Sequence, residues 1–77
     1  MKHLTLVPDG WPCTLEACPP GFFLFEDEIC FKSEYAREKG GVQAYCSSGE
    51  FFWAGQTDVA VRDKLIVQPL VEKWLVL

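Results

Sequence analysis

The sequence predicts a mainly β domain, a small antiparallel sheet of about four to five strands forming a roll or half-barrel with one or two short helices. Three observations lead there. Apolar and polar residues alternate with a period of two through Ile29–Tyr35 and Val42–Ser47, so that successive side chains leave opposite faces. Turn-forming groups such as Pro8-Asp9-Gly10, Pro19-Pro20-Gly21 and Ser47-Ser48-Gly49 punctuate the chain at strand-length intervals. The two stretches that can be helical, Leu15–Cys18 and the segment from Thr57 or Asp58 to about Lys64, are both short.

The elements follow in order. His3–Val7 reads as a brief strand, closed by Pro8-Asp9-Gly10, where proline presets φ and glycine supplies a positive one. Thr14 is placed to cap one helical turn over Leu15–Cys18, which Pro19-Pro20-Gly21 ends. Gly21–Tyr35 is a β-hairpin turning at Glu26-Asp27-Glu28. With the turn placed there, Phe23, Phe25, Ile29 and Phe31 form the core set, while Phe22 and Leu24 fall on the opposite face, which something must cover.

Ala36–Gly41 reads as a loop with a mobile tip. Val42–Ser47 and Glu50–Ala54 form a second hairpin around Ser48-Gly49. In the second arm, Phe51 and Trp53 share one face and Phe52 takes the other, which raises the question of what covers so many rings. Thr57 or Asp58 caps a short helix reaching about Lys64. Leu65–Gln68 is the last strand, held to the end or edge of the sheet by Pro69. The tail Leu70–Leu77, with Trp74, is expected to pack across the sheet. There is neither an internal repeat nor a linker, so residues 1–77 read as a single domain.

Of the 77 residues, 49 % are hydrophobic and 14 % aromatic, enough for a core and unlike a disordered chain. A domain this small buries only roughly 60 % of its unfolded surface, which makes self-association an option. The net charge of −4 disfavours nucleic acid, whose binding needs a basic surface. The N-terminal apolar run breaks at Pro8, too soon for a signal-peptide core, and Pro69, Glu72 and Lys73 interrupt the apolar tail before it reaches membrane-spanning length. The expected compartment is the cytoplasm, with Cys13, Cys18, Cys30 and Cys46 as free thiols.

The residues do not form an enzymatic constellation. His3 is the only histidine and lies near a terminus, too poorly placed to activate a cysteine or serine. Cys13 and Cys18 are spaced C-x4-C, but Cys30 and Cys46 stand alone, unlike the paired knuckles of a zinc site, so neither a metal nor a cofactor is expected. Glu26, Asp27 and Glu28 belong on a hydrated turn, whereas general acid catalysis wants a carboxyl in a dry pocket. The aromatics remain. Tyr35, Tyr45, Glu50, Phe52 and Trp53 form the candidate binding patch, because rings supply large contact area at low entropic cost.

The segments "PPGFFLFEDEICFKSEY", "VQAYCSSGEFFWAG" and "RDKLIVQPL" resemble a family of small uncharacterised proteins encoded by tailed phages and prophages, over about Trp11 to Leu70. The resemblance implies expression inside an infected bacterium and carries no activity, cofactor or functional residue. The expected function is therefore non-enzymatic: an accessory protein that binds a host bacterial protein through the aromatic patch, in a counter-defence role. The alternative is a ligand-binding module, as an oligomer, that sequesters a nucleotide or other small molecule near Gly49 and Glu50.

Overall fold

The computed structural model describes residues 2–34 and 42–76, which form strands β1 (Lys2–Pro8), β2 (Cys13–Thr14), β3 (Gly21–Phe25), β4 (Glu28–Lys32), β5 (Ala44–Tyr45) and β6 (Ile66–Val76), with one helix, α1 (Val59–Asp63), before β6. The fold is mainly β, an open antiparallel sheet in the order β1-β6-β3-β4-β5, with β2 pairing to β6 off this path. The predicted loop Ala36–Gly41 lies outside the described residues, as does Tyr35.

The last strand departs most from expectation. Rather than a brief edge segment, β6 runs for 11 residues between β1 and β3. Pro69 is tolerated there because the ladder changes partner at that residue. Gln68 and Pro69 pair with Leu24 and Phe23, whereas Leu70–Val76 pair with β1, and the Pro69 carbonyl accepts the amide of Asp9 at 2.9 Å. The proline withholds one donor at a point where the pairing with β3 is ending anyway. The expected tail thus belongs to β6. Its ladder with β1 is about 23 Å long, and both strands are exposed at its far end. This ribbon accounts for the elongated shape, 45 Å against 24 and 22 Å.

The first hairpin is tighter than expected. Phe25 pairs with Glu28, leaving a two-residue turn in which Glu26 and Asp27 both have positive φ, 47° and 65°. This is the mirror-image turn whose twist matches that of the strands. Shortening the turn by one residue exchanges the faces of β4. Cys30, opposite Phe23, is buried, while Ile29 and Phe31 lie on the outer face, each 43 % exposed, and are not in the core. Lys32, on the Cys30 face, donates from Nζ to the carbonyls of Leu15 at 3.0 Å, Glu16 at 3.1 Å and Cys18. It thereby satisfies the acceptors of the Thr14–Cys18 turn. That turn forms where the sequence placed it, with the Cys18 amide donating to the Thr14 carbonyl at 2.9 Å.

The core comprises Leu15, Cys18, Phe23, Cys30, Val42, Ala44, Phe52 and Val67. Phe52 meets Phe23 and Phe25 edge to face, with ring centroids 5.4 and 5.3 Å apart, an arrangement that adds to simple area burial. The second hairpin is short: Tyr45 bridges Phe51, the Cys46 amide donates to the Glu50 carbonyl at 2.7 Å, and Gly49 turns with φ of 90°. Asp58 caps α1, its Oδ1 accepting from the amides of Ala60 at 2.8 Å and Val61 at 3.4 Å. No buried side-chain polar atom among the described residues lacks a partner.

Because Glu26 and Asp27 occupy a backbone conformation that costs an L-residue roughly 1–2 kcal/mol, replacing them with Asn-Gly should raise unfolding stability by about 1 kcal/mol. Urea denaturation checks this. An unchanged or lower midpoint would contradict the two-residue turn.

Candidate functional site

The aromatic run Phe51-Phe52-Trp53 divides as strand alternation requires, and its outward members find an unexpected partner. Phe52 enters the core, 1 % exposed, which removes it from the predicted binding patch. Phe51 and Trp53 instead lie against the guanidinium of Arg62, whose carbon is 4.7 Å and 5.3 Å from their ring centroids. Arg62 is fully buried. Its Nη2 donates to the Val42 carbonyl at 2.6 Å and to Asp63 Oδ1 at 3.0 Å, its Nη1 to the Phe52 carbonyl at 3.2 Å, and its Nε to Asp63 Oδ1 at 3.4 Å. Asp63 Oδ1 also accepts the Val42 amide at 3.2 Å. A planar guanidinium can satisfy separate acceptors and stack on rings at once, which an ammonium cannot. The cluster is structural, and its donors are already committed to protein acceptors.

Exposed apolar side chains gather on the outer face of the sheet. By register, Phe22 and Phe31 lie opposite one another, as do Leu24 and Ile29, and Phe31 continues to Tyr45 on β5. Phe22 and Phe31 meet edge to face at 5.4 Å. On the other side of β3, Leu24 pairs with Gln68, so Leu70 follows beside Phe22 on the same face, and a shallow cavity of about 350 Å³ is lined by Phe22, Phe31, Leu70 and Glu72 among others. The parity of the β1–β6 ladder carries this face on to the pair Leu4 and Trp74, which are 50 % and 60 % exposed. Nothing within the described chain covers it. An apolar face this extended is unusual on a small monomeric protein.

The predicted site residues are only partly brought together. Tyr45 is exposed on the outer face and meets Phe51 edge to face at 5.8 Å. Trp53 is 44 % exposed at the rim, with one ring face turned to Arg62. Glu50 sits exposed in the turn of the second hairpin. Tyr35 lies outside the described residues. Sequence reasoning missed Phe31 and Ile29 as surface residues because Cys30, Lys32 and Glu34 look like the wet side of β4, when Cys30 is in fact core and Lys32 bonds inward. A signal was available: Phe23 and Cys30 fall opposite each other only when the turn has two residues.

Burial raises the thiol of Cys18 to about 11, with Cys13 adding to the rise and Lys32 opposing it. Cys30 rises to about 12, first from burial and then from the nearby Glu28 and Cys46. Cys46 is also raised, by burial and by Glu28 and Glu50. None of these is an activated nucleophile at neutral pH.

The chain matches no family model, no curated protein and no solved structure. Its geometry therefore carries the functional reading.

A raised folded-state thiol is stabilising below the unfolded value of 9.0, and that contribution is lost as pH climbs toward 12. Stability should accordingly decline between about pH 9 and pH 12, and Cys30→Ala should flatten part of the decline. Urea midpoints measured across this range test it. A profile identical to wild type in the variant would show that Cys30 is not the buried thiol described.

Proposed function

We propose that this protein is a non-enzymatic binding module that engages a partner protein through the outer face of its sheet, centred on Phe31 and Tyr45. The observation that carries this reading is the apolar face, left open by the described residues, that runs from Tyr45 through Phe31, Phe22 and Leu70 to Leu4 and Trp74. Aromatic residues on a rigid sheet lose little entropy on contact and are the usual anchors of protein interfaces. The face is bordered by acid: Glu26, Asp27 and Glu28 at the hairpin tip, Glu34 after β4 and Glu72 on the ribbon, all exposed. The partner surface should then be apolar at its centre and basic at its rim. In the phage setting implied by the sequence resemblance, the partner we propose is a host bacterial protein met in the cytoplasm, with counter-defence as the proposed role.

The nucleotide-sequestering alternative needs a free cation beside an aromatic face. Among the described residues, the cation placed against Phe51 and Trp53 is Arg62, and its donors are turned to Val42, Phe52 and Asp63. This favours protein binding over nucleotide capture.

The reading is tested by three alanine variants of the tagged chain used to capture partners from bacterial lysate. Phe31→Ala and Tyr45→Ala should shift stability by no more than about 1 kcal/mol and abolish capture of a specific protein. Phe52→Ala, in the core, should cost about 3–5 kcal/mol. Capture that survives both outer-face variants, or no protein held by the wild type at all, would count against the proposal.

A further inference from the structure

Outside the aromatic face, the fold assembles a second cluster. The register that pairs Lys32 with Ala44 and Phe31 with Tyr45 continues to place Cys46 opposite Cys30. Glu28 lies two residues before Cys30 on the same strand, and therefore on the same face. The sulfur atoms of the two cysteines and a carboxylate oxygen of Glu28 all lie within 4.8 Å of one another. Ser47 Oγ donates to Glu28 Oε2 at 3.5 Å, which ties the segment after β5 to the carboxylate.

We propose that Cys30, Cys46 and Glu28 form a binding site for a borderline-soft divalent cation of the zinc type. Two thiolates and a carboxylate are donors that such an ion accepts, and three protein ligands leave its fourth tetrahedral position to water. Modest closure of the cluster brings all three atoms to bonding distance. Binding replaces the proton on each thiol with a metal–sulfur bond and releases one proton per cysteine to solvent.

The surroundings distinguish this pair from the other two cysteines. The thiols of Cys13 and Cys18 are also neighbours, but the Lys32 ammonium bonds the Cys18 carbonyl and repels a cation there. Cys46 instead stands near the carboxylates of Glu28 and Glu50, which attract one. The ion would clip the two-residue strand β5 to β4 and the hairpin tip, and so stabilise the native chain by an amount that grows with the logarithm of the free ion concentration above its dissociation constant.

The experiment is titration of the full reduced chain with cobalt(II) alone, followed by absorption, and then displacement by zinc(II). The expected result is thiolate-to-cobalt charge transfer together with the intense visible bands of a tetrahedral ion, both erased by zinc, and a zinc-dependent rise in melting temperature. Cys46→Ala should abolish the charge transfer, and Cys13→Ala should leave it intact. Glu28→Gln, which keeps the size of this exposed side chain and an oxygen for Ser47, should weaken cobalt affinity by about tenfold or more. Absence of charge transfer in the wild-type chain would overturn the proposal. So would a spectrum that survives Cys46→Ala, follows Cys13 instead, or is indifferent to Glu28→Gln.

Discussion

The guanidinium of Arg62 holds together parts of this molecule that have little else to hold them. The hairpin around Ser48-Gly49 has a two-residue strand on one arm and a single bridge on the other, and α1 has five residues, too few to stand alone. Arg62 reaches from α1 to the carbonyls of Val42 and Phe52, on either side of that hairpin, while Asp63 receives the Val42 amide. Cutting any one of these contacts would strand a buried charge or carbonyl, which costs more than the contact itself contributes. A domain of 77 residues has a total stability on the order of 4–12 kcal/mol, so one such knot is a large share of it.

The same cluster explains the aromatic run at residues 51–53. Strand alternation sends Phe52 inward to Phe23 and Phe25 and sends Phe51 and Trp53 outward. There the two rings flank the guanidinium and shield it from water, which strengthens its hydrogen bonds. With Phe51 and Trp53 largely engaged in this way, the free apolar surface shifts to the other hairpin and the ribbon. Phe22, Phe31, Tyr45 and Leu70 form its centre, and the cysteine–glutamate cluster lies at its edge, where the cavity lined by Ile29, Phe31 and Ser47 also includes Cys30 and Cys46. A metal clip on β5 would therefore also steady Tyr45, one residue from Cys46 and a member of the face.

Much of this could be read from the residues, because period-two alternation and turn chemistry are local properties. The β class, both hairpins, the Thr14 turn and the Asp58 cap all follow from neighbours in sequence. What could not be read depends on distance or on a single residue of register. The turn at Glu26-Asp27 is one residue shorter than its three acids imply, and that exchange moved Ile29 and Phe31 from core to surface. Pro69 argued for an edge strand, but its missing donor falls where β6 changes partner, which only the fold reveals. Arg62 looks like one more helix-surface charge, and nothing local tells that it meets Val42 and Phe52. Likewise, the C-x4-C spacing drew attention to Cys13 and Cys18, whereas the pair near carboxylates is assembled by cross-strand register.

Chemical denaturation of Arg62→Met tests the account most directly, since methionine keeps an unbranched apolar stem at this position and removes the guanidinium. If the buried cluster holds the hairpin to α1, the variant loses about 3–5 kcal/mol and stands close to unfolding, and with Trp11 and Trp74 replaced by phenylalanine the remaining Trp53 fluorescence reports early exposure of the hairpin. A midpoint within about 0.5 kcal/mol of wild type, with Trp53 undisturbed, would contradict it.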